Sequence, residues 1–268
     1  MTSADCVVTI QPGEPPLIVL AGEVNYESAP QIGEALDKLQ KKGLSCLALD
    51  CGAVDFIDSS GIGAIVHWAQ RLRRMGGSLT LRAATPQLIH ALQVSGFADQ
   101  FGLEMPPREA PEVRRMPSAG VWQRAKLSIP LQADRDGLVR KRVTDLALAM
   151  PFTQQQIDDI RLAVGEAVSN AIRHGCPNKD SDRLDVSCVG DPEKLVITVH
   201  NPGQPFDPSA VPTPDPEDPR EGGMGIFFMK VSMDEVKYSF DETGTTVTMV
   251  KYIRPNSSEN DNRSNLDS

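Results

Sequence analysis

Apolar positions in the first part of the chain switch repeatedly between β-type runs and helical spacing. Residues 7–10, 17–21, 44–49 and 78–82 read as short strands. Between them Ala29, Ile32, Leu36 and Leu39 recur at three- and four-residue steps, which predicts a helix over 29–39. Residues 61–72 and 86–94, the latter opened by Pro86, predict two more. Strands alternating with helices imply an α/β layer fold. The stretch 105–119 breaks the pattern. Pro106, Pro107, Pro111 and Pro117 with mixed charge leave little apolar area to bury, as in an extended tether. Beyond it, a strand over 122–129, helices over 134–149 and 153–174, and strands over 183–189 and 195–200 are expected. A helix from about 225 and strands over 235–240 and 245–252 complete the pattern. Helices on one face of a mixed sheet make an α/β sandwich. The expected division is therefore a domain over 1–104, a linker over 105–119, a second domain over 120–254, and a disordered tail over 255–268 rich in Asn, Ser and Asp.

Charge narrows the function. A net charge of −9 and a pI near 5.0 argue against a nucleic-acid binder or a protein that docks on an acidic membrane. No apolar run approaches the roughly 20 residues of a membrane span, and the N-terminus lacks a secretory pattern, so a cytoplasmic protein is expected. Cys6, Cys46, Cys51, Cys176 and Cys188 are scattered without a CxxC pair, indicating neither a disulfide framework nor a zinc site. His67, His90, His174 and His200 share no metal-binding spacing.

Three pieces of the second half carry chemistry. Glu166 and Asn170 stand four residues apart on the long helix, which puts a carboxylate and an amide on one face. The amide oxygen suits Mg²⁺ and the carboxylate suits a base, although a solvated helix face uses the same pair. Residues 201–208, Asn-Pro-Gly-Gln-Pro-Phe-Asp-Pro, follow an apolar strand, and Gly203 allows close approach of backbone to a flat ring. Gly222, Gly223 and Gly225 precede a helix whose free N–H groups can cradle phosphate.

Taken in this order and spacing, the pieces resemble the GHKL (Bergerat-type) ATP-binding superfamily over about residues 120–253. Within it they resemble the anti-sigma-factor serine kinases. Residues 166–170 match its N-box, 201–208 its D-x-G-x-P-F-D-P pattern, 222–229 its second glycine box and 234–236 the segment after that helix. The resemblance implies that ATP and Mg²⁺ are cofactors, that Asn170 holds the metal, and that Glu166 is the base on a substrate serine. It further implies that Asn201 and Gly203 meet the adenine, that Gly222, Gly223 and Gly225 wrap the phosphates, and that Thr246 joins the nucleotide site. Residues 209–221 would form a lid over ATP, with Arg220 as the cation for the γ-phosphate. Where the family has an aspartate this chain has Asn201, so Asn201→Asp is expected to tighten nucleotide binding.

In the first half, Asp55-Phe-Ile-Asp58-Ser59-Ser60-Gly61-Ile-Gly63 lies where a strand meets a helix. Ser59 or Ser60 suits the helix cap, and the same place suits a phosphorylation switch, since added charge there would disturb docking. The segment resembles the D-S-[ST]-G-[LIV]-G mark of STAS domains, the anti-sigma-factor antagonists, over about residues 4–103. That resemblance makes Ser59 the phosphoacceptor. The whole chain then reads as a STAS-type α/β domain fused to a GHKL α/β sandwich. It implies a partner-switching protein-serine kinase that acts on Ser59 or on a partner's serine. A sigma factor, anti-sigma or STAS proteins and a serine phosphatase are the implied partners, and the kinase type implies a homodimer. The alternative is a non-catalytic scaffold that binds nucleotide or partners without phosphoryl transfer.

Overall fold

The computed structural model describes residues 6–102, 123–130, 136–175, 183–203, 208 and 223–253. The expected linker over 105–119, the lid over 209–221 and the tail over 255–268 lie outside the described residues.

The first half forms a four-stranded sheet of β1 (Val7–Gln11), β2 (Leu17–Val24), β3 (Cys46–Ile57) and β4 (Ser78–Ala84), in that order. β1 is antiparallel to β2, while β2, β3 and β4 run parallel. Parallel neighbours need crossovers, which α1 (Ala29–Lys41) and α2 (Ser59–Arg74) supply; α3 (Pro86–Val94) follows β4. β2 buries every second residue, with Ile18, Leu20 and Val24 inward. β3 continues well past the expected 44–49 run, because Val54, Phe56 and Ile57 stay paired with the end of β2. α2 begins at Ser59 and is capped by neither serine. Asp58 accepts from the N–H groups of Ser60 at 2.8 Å and Gly61 at 3.1 Å. A charged acceptor at the positive helix end outcompetes a hydroxyl, and it leaves the Ser59 side chain for other use.

The second sheet holds β5 (Gln123–Pro130), β6 (Arg183–Gly190), β7 (Lys194–Asn201), β8 (Glu235–Asp241) and β9 (Gly244–Tyr252), in the order β5-β6-β7-β9-β8. Every pairing is antiparallel, not the mixed sheet the pattern suggested. The β6–β7 and β8–β9 connections are tight turns, which only antiparallel neighbours allow. α4 (Asp136–Leu148), α5 (Gln154–His174) and α6 (Met224–Ser232) complete this half. A capping box of Thr153 and Gln156 starts α5. Its residues Ile157, Ile160, Val164, Val168 and Ile172 enter the core as their spacing predicts.

Each half has its own apolar core, yet the first core does not end at its domain. Leu162 of α5 with Met224 and Phe228 of α6 are buried among the side chains of the first half. The docked halves bring the start of α2 against α5 and α6.

Candidate functional site

Docking seats Ser59 on Glu166. The Ser59 hydroxyl donates to Glu166 Oε2 at 2.7 Å, and its backbone N–H donates to Oε1 at 2.5 Å. Glu166 is 1% exposed. Burial first, then the neighbouring carboxylate of Asp58, push its carboxyl up to about 8; the bonds from Ser59 and the guanidinium of Arg173 oppose this. Burial likewise raises Asp58, against the N–H bonds it accepts. A carboxyl poised near neutrality, in contact with a hydroxyl, is matched to taking that hydroxyl's proton. Gly225 of α6 closes the third side. A Cβ there would stand 2.5 Å from Glu166 Oε2, 3.3 Å from Asn170 Nδ2 and 3.4 Å from Ser59 Oγ, so any larger residue would crowd the point where the three meet.

Around this point the halves interlock. Arg140 of α4, 2% exposed, is bonded to Glu23 of β2 and lies over the ring of Phe56, 3.7 Å from its centroid. Arg173 donates to Ser60 Oγ at 3.2 Å and lies over Tyr26. On the far side His90 Nε2 is 3.0 Å from Asp159 Oδ1, and Lys251 donates to Asp159 Oδ2 at 2.8 Å and to the Ser232 carbonyl at 2.5 Å. None of these partners was singled out as functional in the sequence, because charge pairing across domains has no local pattern.

One turn along α5 from Glu166, Asn170 faces a cavity of about 310 Å³. Asn201, Gly223, Gly225, Ile226, Met229 and Thr245 also line it. Of the expected site residues the structure thus brings together Ser59, Glu166, Asn170, Asn201, Gly223 and Gly225. Gly203 lies tight against the carbonyl of Gly175, close to the cavity wall. Gly223 takes a positive φ of 85° at the start of α6, a conformation that favours glycine. Arg220 and Gly222 lie outside the described residues.

Thr246 does not line the cavity. Cross-strand register pairs Asn201 with Thr245 and His200 with Thr246, so Thr246 points to the other face, where its hydroxyl meets His200 Nδ1 at 2.9 Å. Thr245 takes its place, with Oγ1 buried and, among the described residues, without a hydrogen-bond partner. Period-2 parity with Val247 and Met249 was the available cue. Asn201 also departs from expectation. Its Nδ2 donates to the Gly175 carbonyl at 2.8 Å, a bond that an aspartate cannot make.

Residues 129–251 match the family described as histidine kinase-like ATPase domain, and residues 7–110 match the STAS domain. A serine-protein kinase RsbW from Listeria monocytogenes is 31% identical over 144 residues, covering 50% of this chain and 90% of the relative. The chain belongs to the RsbW family, with a STAS domain fused ahead of the RsbW-type half. RsbW from Bacillus subtilis is 27% identical over 136 residues, covering 48% of this chain and 84% of the relative. A solved anti-sigma factor antagonist from Mycobacterium paratuberculosis matches 36% of this chain and 83% of its own length, at 18% identity and a TM-score of 0.34.

For an RsbW-type half, the cavity fits a nucleotide. It offers an orphaned buried hydroxyl at Thr245, an amide at Asn201, and a glycine turn at a helix start. The same cavity fits Mg²⁺ only as a metal carried with phosphates. Among the described residues no three His, Cys, Asp or Glu side chains cluster as a cage, and Asn170 supplies one hard oxygen. That is the mode in which Mg²⁺ keeps waters and substrate phosphates as its main ligands. No described helix is long and apolar enough to cross a membrane.

Proposed function

We propose that the chain is an ATP-dependent protein-serine kinase of a bacterial partner switch, and that it phosphorylates Ser59 of its own STAS domain. The observation that carries this reading is the 2.7 Å bond from Ser59 Oγ to Glu166 Oε2 beside the nucleotide-sized cavity. In the transfer, Ser59 Oγ attacks the γ-phosphorus of ATP. The new O–P bond forms as the bond to the β,γ-bridging oxygen breaks, ADP leaves, and the hydroxyl proton passes to Glu166. Asn170 would hold Mg²⁺, which would supply neutralisation of the phosphate charge. Gly223 and Gly225 would present backbone N–H groups to the phosphates, and Asn201 with Thr245 would meet the base. Family membership supports a sigma factor and a separate STAS protein as partners, and resetting the switch calls for a serine phosphatase.

The test is intact mass after incubation with Mg-ATP, with and without Ser59→Ala. A gain of one phosphate that Ser59→Ala abolishes is expected. A gain that survives the substitution moves the acceptor elsewhere. No gain, with nucleotide still bound, overturns Ser59 as the acceptor and leaves a kinase for a partner's serine or a binding-only scaffold.

A further inference from the structure

Phe56 stands three residues before Ser59 and is 1% exposed, yet it belongs to neither apolar core. It is buried between the two halves. The far end of its ring points at Gly165, the residue before Glu166. A Cβ at 165 would overlap ring Cζ and stand 3.2 Å from Cε2 and 3.3 Å from Arg140 Cδ. The ring has little freedom to yield, because the Arg140 guanidinium lies over one face and Arg161 is 5.6 Å from its centroid. On α5, Leu162, Glu166, Ser169 and Arg173 fall at three- and four-residue steps with Gly165 beside Glu166, and Leu162, Gly165, Glu166 and Arg173 each touch the first half. A glycine within such a helix costs about 1 kcal/mol relative to alanine. Here the missing side chain is what admits the ring.

We propose that Phe56 and Gly165 form a matched knob and hole that determines which STAS segment the kinase half accepts, favouring one with a flat apolar ring three residues before the acceptor serine. This rests on the reading of Ser59 as the substrate. The pair works by placement: with the ring seated, the β3–α2 junction comes down so that Ser59 N–H and Oγ both reach Glu166. Filling the hole holds the junction away and breaks that contact first.

The experiment uses the full chain and two readouts, Ser59 phosphate by intact mass under Mg-ATP and hydrogen exchange of the Ser59 amide. Gly165→Ala favours the helix intrinsically but is expected to lower both the phosphorylation rate and the amide protection roughly tenfold or more, by overpacking. Affinity for a fluorescent ATP analogue should stay unchanged. Phe56→Ala, which leaves the kinase half untouched, should lower both readouts too. The double variant Gly165→Ala/Phe56→Leu, with space restored, should recover to within about threefold of the parent. Readouts for Gly165→Ala that stay within about twofold of the parent, or a double variant that recovers nothing, would overturn the proposal. If the parent acquires no phosphate on Ser59, the reading of Ser59 as the acceptor fails on its own, and loss and recovery of amide protection still supports the knob and hole.

Discussion

Replacing Glu166 by glutamine separates proton removal from docking, because the two depend on different properties of one side chain. Both Ser59 groups donate to the carboxylate, at 2.5 and 2.7 Å. In Glu166→Gln the amide oxygen can still accept from the Ser59 N–H, while the new NH₂ donates to Ser59 Oγ, which has lone pairs to receive it. One charge-assisted bond weakens by about 1 kcal/mol, but the neutral side chain escapes the burial and the Asp58 repulsion that raise Glu166, so docking is retained or strengthened. Proton transfer has no such compensation. An amide has no useful basicity, and loss of a positioned base lowers rates by roughly 10²–10⁴. The assay pairs the rate of Ser59 phosphorylation with hydrogen exchange of the Ser59 amide. A rate that falls at least a hundredfold, roughly, with protection retained is expected. A rate within about tenfold of the parent would refute Glu166 as the base, and lost protection with the rate would make it chiefly a docking residue.

Three further outcomes follow from the same geometry. Asn201→Asp removes the bond to the Gly175 carbonyl and sets two acceptors together, so nucleotide affinity should fall, roughly five- to tenfold; tighter binding in an equilibrium titration would refute this. Lys251→Met strips the buried Asp159 carboxylate and the Ser232 carbonyl of their shared donor, with an expected loss of about 3 kcal/mol in denaturant unfolding; a loss below about 1 kcal/mol would count against it. Because the docked Glu166 is raised to about 8 from 4.5, its ionised fraction, and with it the transfer rate, should climb as pH rises through that value. Docking has the opposite sign. It is fully favoured below 4.5 and weakens as pH rises toward about 8, a trend that Glu166→Gln should flatten in exchange measurements across that range.

Local pattern carried most of the fold. The strand and helix positions of both halves follow from period-2 and helical spacing, and Glu166, Asn170, Gly223 and Gly225 were readable because each sits in a contiguous motif. What failed needed information from elsewhere in the chain. Thr245 lines the cavity and Thr246 faces away from it, because a threonine pair is ambiguous until the partner strand fixes its parity. The helix cap went to Asp58 over the serines, since competition between adjacent acceptors depends on backbone geometry. Asn201 reads in the sequence as a substitute for aspartate, whereas in the fold its amide donates to the Gly175 carbonyl. Phe56 lies beyond the strand expected over 44–49, and only the opposite surface of α5 shows where its ring packs.

α6 carries a consequence for how the two halves communicate. Gly223, Gly225, Ile226 and Met229 border the cavity, while Met224 and Phe228 are buried among the side chains of the STAS half. The helix has nine residues, too few to absorb a shift on one side without passing it to the other. A ligand that moves α6 therefore alters the seat of the STAS domain, and thermodynamic linkage makes the effect mutual: whatever factor docking adds to nucleotide affinity, nucleotide returns to docking.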